Sequence, residues 1–151
     1  MVDVWAPLEN YIDYANADQT AQDEIYADAM ERVRPFKSKI HVCRNFTSVC
    51  SKKFKEEYFD FIYVDARHDF KGVEMDLKDY WPKLKTGGII AGHDYITNEE
   101  SGQNWTVNYD GTIDLTGTVV KGAVDAFATS VCRQVTVSYR EDSFNTWAMR
   151  K

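Results

Sequence analysis

The hydrophobic positions of this chain alternate between runs typical of buried strands and spacings typical of helices. The nearly continuous apolar run FDFIYVDA, residues 59–66, fits a central parallel strand that is buried on both faces. The predicted strands are 2–6, 39–44, 59–66, 88–93, 134–139 and 145–150, and the predicted helices are 20–33, 47–56, 69–83 and 119–131. Helices that alternate with strands predict an α/β fold in which right-handed crossovers join parallel strands.

Two stretches depart from this alternation. Residues 96–117 are rich in Asn, Gly, Thr and Glu, and they predict an excursion with a hairpin around Asp110-Gly111. The turn at 141–143 is so short that the two strands it joins must be antiparallel. We therefore predict a Rossmann-like, mostly parallel sheet with a C-terminal antiparallel hairpin, in a single domain over residues 1–151.

Composition and charge exclude several classes of protein. The 151 residues are 44% hydrophobic and 28% charged, as in an ordinary folded domain. The formal net charge is −6 and no basic cluster occurs, so we expect no nucleic-acid partner. No apolar run approaches the roughly 20 residues that cross a bilayer, and no secretion signal is recognisable. Three cysteines without CxxC spacing, Cys43, Cys50 and Cys132, predict reduced thiols in a cytoplasmic protein.

Polar residues close the predicted strands at the edge where open α/β sheets bind their ligands. Asp3 closes the first strand, where an acidic residue commonly accepts hydrogen bonds from ribose hydroxyls; the structural alternative is a solvated carboxylate. Trp5 is suited to stack on a base, although most Trp residues belong to the core. His41 lies inside a predicted strand and is expected to be packed there.

Asp65 and Asp94 are the sharpest signal in the sequence. Each follows an apolar strand, where an unpaired carboxylate is costly to bury. If the two strands are neighbours, their ends lie about 4.8 Å apart, and both carboxylates can bind one Mg²⁺, Ca²⁺ or Mn²⁺ ion. His68 or His93 would then serve as ligand or base. The structural alternative for Asp65 is to cap the helix that follows.

The segment FDFIYVDARHDFKGVEMDLKDYWPKLKTGGIIAGHDY, residues 59–95, resembles the core of class I S-adenosylmethionine-dependent methyltransferases. It is most similar to methyltransferase family 24, a group that includes small-molecule and sugar O-methyltransferases. The opening Val-Asp-Val-Trp, the segment Arg44-Asn45-Phe46-Thr47, the helix near 119–131 and the closing hairpin also match the family plan. The resemblance therefore covers nearly the whole chain.

Carried over residue by residue, the resemblance implies a cofactor site and an ion site. Asp3 would hold the ribose of S-adenosylmethionine, with Trp5 nearby, and Phe46 and Thr47 would border the adenine. Asp65 would lie at the methyl-transfer centre with His68 as general base and His93 beside it. The ion site, for Mg²⁺ or Mn²⁺, would consist of Asp65, His93 and Asp94. The acceptor would be a hydroxyl of a small molecule or carbohydrate.

The family's first strand and its glycine-rich loop have no counterpart in this sequence. We therefore expect an unfilled position between strand 2–5 and strand 59–65, to be completed by an N-terminal segment or by a second copy in a homo-oligomer. A catalytically silent binding or assembly domain, or a fragment of a larger enzyme, is the alternative function. A nicotinamide-dependent oxidoreductase is a further rival, but no G-x-G-x-x-G follows any strand.

Overall fold

The computed structural model describes residues 1–138 and 144–151. Strands and helices alternate along most of the chain, as the sequence predicts. The strands are β1 (Val2–Asp3), β2 (Cys43–Arg44), β3 (Phe59–Val64), β4 (Leu84–Gly92), β5 (Thr136–Val137) and β6 (Trp147–Arg150). The helices are α1 (Gln19–Val33), α2 (Thr47–Cys50), α3 (Phe70–Tyr80), α4 (Asn98–Ser101) and α5 (Val119–Ser130).

The strands form two separate sheets. β1 pairs with β2 in parallel, and β3, β4, β6 and β5 follow one another in a second sheet. β3 and β4 are parallel neighbours, whereas β4–β6 and β6–β5 are antiparallel. The predicted α/β class, the β3–β4 pairing and the C-terminal antiparallel pair are thus confirmed, while the predicted turn at 141–143 lies outside the described residues.

β3 is not the doubly buried central strand that its apolar run predicts. The side chains of Phe61 and Tyr63 are 57% and 48% exposed. In the part of the chain that the structure describes, β3 pairs only with β4, and β1 does not pair with it. The lack of direct pairing agrees with the expectation of an unfilled position between these two strands, which stays a prediction. Apolar character alone could not show which face of β3 is covered.

The main hydrophobic core lies between the second sheet and the helices α3 and α5. It is built from buried residues such as Leu77 of α3, Ile90 of β4, Val124 of α5 and Trp147 of β6. Complete burial of such a side chain contributes about 1.5–3 kcal/mol. Asp69 caps α3 by accepting a hydrogen bond from the Gly72 amide at 2.9 Å. This hydrogen bond fixes where the segment after β3 enters the helix.

The segment between α1 and β3 departs most from prediction. A 3₁₀ helix over Arg34–Lys39 shortens the predicted strand 39–44 to Cys43–Arg44, and the predicted helix 47–56 ends at Cys50 before a 3₁₀ turn. Cys43 and Cys50 form a disulfide, and the exposed Cys132 is free. The prediction of three reduced thiols is therefore wrong for this pair, because folding brings together two cysteines that lack a recognised spacing.

Residues 96–117 form the predicted excursion. It begins with α4, and an antiparallel bridge between Val107 and Ile113 flanks the predicted turn at Asp110-Gly111. The amide of Asn108 donates to the carbonyl of Thr112 at 2.8 Å within this small hairpin. None of the helices among the described residues is long and apolar enough to cross a membrane.

Candidate active site

A cavity of about 460 Å³ opens where β1, β3 and β4 end. Such a place, beyond the carboxyl ends of the strands, is where open α/β sheets bind ligands. The wall of this cavity contains every site residue proposed from the sequence: Asp3, Trp5, Phe46, Thr47, Asp65, His68, His93 and Asp94. The structure therefore brings together residues from four separate segments of the chain.

The pairing of β3 with β4 places the two carboxylates side by side. Val64 lies opposite Gly92, and the His93 amide continues the ladder by donating to the Val64 carbonyl at 3.2 Å. Asp94 follows with φ of +57°, a left-handed conformation that Asp tolerates better than most residues. This bend turns the Asp94 side chain back toward the end of β3.

His68 lies between these carboxylates and the loop that follows β1. Its Nε2 is 3.0 Å from Asp94 Oδ2 and 3.5 Å from Asp65 Oδ1. Its Nδ1 is 3.0 Å from the Tyr11 hydroxyl oxygen and 3.4 Å from Asp13 Oδ2. The ring is mostly buried, so four polar groups enclose an imidazole that has little access to water.

The buried charges shift the pKa values of this cluster in different directions. Burial lowers the pKa of His68, but the hydrogen bond with Asp65 and the charges of Asp94 and Asp13 outweigh it, so the net shift is upward. The hydrogen bond from His68 lowers the pKa of Asp65, which is half exposed. Burial raises the pKa of Asp94 in spite of the two neighbouring histidines. The two carboxyl groups thus differ in proton affinity, as groups in active sites often do.

Three donor groups are close enough to bind one cation. Ligand atoms of Asp65, His68 and Asp94 all lie within 4.8 Å of one another. Two carboxylates and one imidazole suit Mn²⁺ or Mg²⁺. The set proposed from the sequence contained His93 in place of His68. In the structure His93 also lines the cavity, with its Nδ1 3.2 Å from Asp94 Oδ1.

The opposite end of the cavity is formed by β1 and the segment after β2. Asp3 is exposed, and its Oδ1 accepts a hydrogen bond from the Trp5 amide at 2.9 Å. Trp5 is 4% exposed and packs edge-on against Tyr26, so most of this ring belongs to a core contact. Phe46 is exposed at the cavity wall beside Thr47, where a flat ligand ring could contact it.

Tyr11, Asp13 and Trp105 line the cavity but were not proposed from the sequence. The loop 8–19 shows only an aromatic and polar composition, and the segment around Trp105 shows only excursion character. Burial raises the pKa of Tyr11 above its usual range, and the Asp13 charge adds to this effect. The guanidinium of Arg67 lies over the Tyr11 ring, 4.7 Å from its centroid, which holds the loop against the end of β3.

Comparison with known families agrees with this arrangement. A family model described as a methyltransferase domain matches residues 2–95. The chain belongs to this methyltransferase-domain family. The match contains Asp3, Phe46, Thr47, Asp65, His68, His93 and Asp94, so it spans both ends of the cavity. No curated protein sequence matches the chain significantly.

Solved structures similar to this methyltransferase domain support the fold. An O-methyltransferase from Bacillus cereus in complex with SAH has a TM-score of 0.60 and 17% identity over 87% of this chain and 59% of its own. An O-methyltransferase family protein from Burkholderia thailandensis has a TM-score of 0.59 and 8% identity, over 86% of this chain and 41% of its own.

A SAM-dependent methyltransferase from Archaeoglobus fulgidus has a TM-score of 0.54 and 8% identity, over 76% of this chain and 69% of its own. The methyltransferase domain thus spans about half the length of several of these proteins, including 50% and 58% of two further matches. At these identities the likeness establishes the class I methyltransferase fold.

Proposed function

We propose that this domain binds S-adenosylmethionine and takes part in transferring its methyl group to a hydroxyl of a small molecule, including a sugar or glycan. The observation that carries the proposal is that one cavity is lined both by Asp3, Phe46 and Thr47 and by Asp65, His68 and Asp94. Membership of the methyltransferase-domain family supports the same reaction class.

The two ends of the cavity have different chemical tasks. The exposed carboxylate of Asp3 offers acceptors for ribose hydroxyls, and Phe46 offers an apolar contact for a purine ring. The bound cofactor would supply an electrophilic methyl group on its sulfonium. The protein must align the acceptor oxygen with that methyl group, and alignment of this kind can supply up to roughly 7–11 kcal/mol of the barrier reduction.

The acceptor hydroxyl must also lose a proton. His68 lines the cavity beside the two carboxylates and is our candidate for this role when its ring is neutral, and a positioned base accelerates such steps by about 10²–10⁴-fold. If a divalent ion is bound by Asp65, His68 and Asp94, Nε2 becomes a ligand. His93, which is more exposed at the same wall, is then the available base.

Binding of SAH, the product form of the cofactor, tests the proposal without knowledge of the acceptor. Calorimetry should detect SAH binding to the wild-type chain. Asp3→Asn should weaken it by about tenfold or more, because a hydrogen bond to a charged group is worth about 1.5–3 kcal/mol. Asp18→Asn is the matched control, since Asp18 caps α1 and does not line the cavity. Absence of SAH binding at millimolar concentrations would favour a silent domain.

The identity of the ion ligands can be tested separately. Mn²⁺ titrations followed by electron paramagnetic resonance should show a site that is lost in Asp94→Asn and His68→Ala but retained in His93→Ala. Loss in His93→Ala with retention in His68→Ala would instead support the set proposed from the sequence. No Mn²⁺ site in the wild-type chain would eliminate the ion and leave His68 as the base.

We also propose that a further strand fills the position beside β3. Among the residues that the structure describes, no strand pairs with the second edge of β3, and the rings of Phe61 and Tyr63 are exposed. Both observations support the proposal, because an apolar edge strand is prone to pair with another chain. An N-terminal segment of the protein or a second copy would supply the strand. Light scattering distinguishes a homo-oligomer, and tighter SAH binding after addition of such a segment would identify the first source.

A cytoplasmic location is part of the expectation from the sequence. The Cys43–Cys50 bridge argues against it, because the cytosol keeps most thiols reduced, so the redox state of this pair in cells tests the location. Rapid alkylation of the protein in its own cells, followed by mass spectrometry, should find both thiols alkylated if the protein resides there.

A further inference from the structure

Asp76 of α3 is a buried carboxylate that the proposed chemistry does not use. It lines the cavity, although the residue is only 4% exposed. Its Oδ1 has no hydrogen-bond partner among the residues that the structure describes. Buried polar atoms without a partner are rare in folded proteins, and each one lowers stability. The position of Asp76 at the cavity therefore calls for a functional explanation.

The surroundings of Asp76 leave part of its acceptor capacity unused. In the described part of the chain, the side chain of Thr47 hydrogen-bonds to this carboxylate. The neighbouring charges that act on it, those of Asp79 and Asp69, are both negative. An ionised carboxylate accepts several hydrogen bonds and donates none. A donor group of a bound ligand is therefore the partner that this carboxylate lacks.

Asp76 adjoins the part of the cavity wall that is proposed to hold the purine ring of the cofactor. Thr47 contacts Asp76, and the exposed ring of Phe46 precedes Thr47 in the same wall. The hydroxyl of Tyr80, one helical turn beyond Asp76, donates to the Thr47 carbonyl at 3.1 Å. This hydrogen bond ties the start of α2 to α3 and so keeps Asp76 beside Thr47 and Phe46.

The chemistry of a carboxylate selects among purine rings. The exocyclic amino group of adenine is a hydrogen-bond donor, whereas a 6-oxo purine has an acceptor at the same position. A carboxylate that accepts from the amino group satisfies its own unused acceptor at the same time. The 6-oxo oxygen would instead face an acceptor of like charge. An unpaired carboxylate beside the purine thus favours a 6-amino ring.

We propose that Asp76 determines the purine specificity of the cofactor site, its carboxylate accepting a hydrogen bond from the 6-amino group of the adenine. A turn about the Cβ–Cγ bond exchanges the two carboxylate oxygens, so one can hold Thr47 while the other meets the ligand. The inference rests on the proposed function for the identity of that ligand. It also accounts for a buried charge that destabilises the chain when no ligand is bound.

Calorimetry with SAH and its deaminated form, S-inosylhomocysteine, tests the role of Asp76. The two ligands differ at the 6-position of the purine, where an oxo group replaces the amino group. At pH 8, where Asp76 is ionised because its pKa is about 6, the wild-type chain should bind SAH roughly 10–100-fold more tightly. Asp76→Asn should reduce this preference to within about threefold, because an amide can both accept and donate hydrogen bonds.

Asp79→Asn is the matched control, because Asp79 lies on the same helix three residues further along and does not line the cavity. This variant removes a negative charge near Asp76 and should keep the wild-type preference for SAH. If Asp76→Asn folds, as judged by its amide NMR spectrum, and keeps that preference as well, the proposal is overturned. Equal affinity of the wild-type chain for the two ligands would overturn it equally.

A measurement on the wild-type chain alone decides the matter if Asp76→Asn does not fold. Purine riboside lacks the 6-amino group and is otherwise identical to adenosine. Titrations followed by NMR should show that adenosine binds roughly tenfold more tightly or better. Equal affinity for these two nucleosides would contradict a contact between Asp76 and the amino group.

These ligands also separate the inference from the proposed function. If the chain binds SAH without distinguishing the purines, the proposed function stands and the role of Asp76 is overturned. If it binds adenosine with the expected preference but does not bind SAH, the role of Asp76 stands and the proposed function fails. A wild-type chain that binds neither SAH nor adenosine would overturn both.

Discussion

Replacement of Asp76 by Asn should make the protein more stable at neutral pH relative to the wild-type chain. Asp76 lies on α3 at the cavity wall and is 4% exposed. Its Oδ1 has no hydrogen-bond partner among the described residues. Burial raises the pKa of Asp76 to about 6, and the hydrogen bond with Thr47 opposes this shift only in part. At neutral pH the fold must therefore bury an incompletely paired charge.

The size of the effect follows from the pKa difference between the folded and unfolded chains. The value rises from 3.8 to about 6, and one pKa unit corresponds to 1.36 kcal/mol, so the full effect is about 3 kcal/mol. Between these values the folded chain binds a proton that the unfolded chain has released. The free energy of unfolding therefore falls as pH rises through this window and reaches its lower level near pH 7.

Urea denaturation at a series of pH values between 4 and 8 measures this dependence. The difference in unfolding free energy, Asp76→Asn minus wild type, should increase by about 2–3 kcal/mol from pH 4 to pH 8. Glu24→Gln removes an exposed carboxylate from α1 and should show no comparable change. A constant difference between Asp76→Asn and wild type across the pH range would refute the reasoning, since it would mean that Asp76 ionises as it does in the unfolded chain.

Two further changes test how the cavity wall is held together. Removing the Cys43–Cys50 bridge, by reduction or by the double change Cys43→Ala and Cys50→Ala, should lower the free energy of unfolding by about 2.5 kcal/mol. The bridge closes a short loop, with a sequence separation of 7, and so restricts the unfolded chain. Equal denaturation midpoints for the reduced and oxidised wild-type protein would contradict this. Gly92→Ala should lower the free energy of unfolding by about 3 kcal/mol, because the new Cβ would lie 2.5 Å from both the Val64 carbonyl oxygen and the Trp147 ring. A calorimetric melting temperature equal to that of the wild type would show that this strand end is not close-packed.

Part of the candidate site could be predicted because it depends on local rules. Asp65 and Asp94 each follow an apolar strand, and neighbouring parallel strands end at the same edge. His68 comes three residues after Asp65, which is close enough for contact without any knowledge of the loops. Asp13 could not be found in this way, because it lies 55 residues from His68 and reaches it through a loop without periodicity.

Only the tertiary structure groups His68, and not His93, with both carboxylates as a possible ion site. His68 and His93 both adjoin a strand end, so residue type and spacing favour neither as the third ligand. The left-handed bend at Asp94 turns its carboxylate toward His68 Nε2, and the Trp105 indole closes over the same ring. These contacts depend on how the excursion and the loop after β1 fold back, and neither segment carries a repeating pattern that would predict its path.

The sequence by itself determined the alternation of strands and helices, the antiparallel pairing of the C-terminal strands and the position of Asp65 and Asp94 after β3 and β4. These features follow from backbone geometry, which imposes a period on residues that are close together in the chain. Only the tertiary structure decided that Cys43 meets Cys50, that Phe61 and Tyr63 stay exposed, and that Asp13 faces His68. Each of these features depends on whether another segment of the chain packs against the residue. The repeating patterns of helices and strands relate only residues that are close in sequence, so they cannot predict contacts between residues joined by an irregular loop.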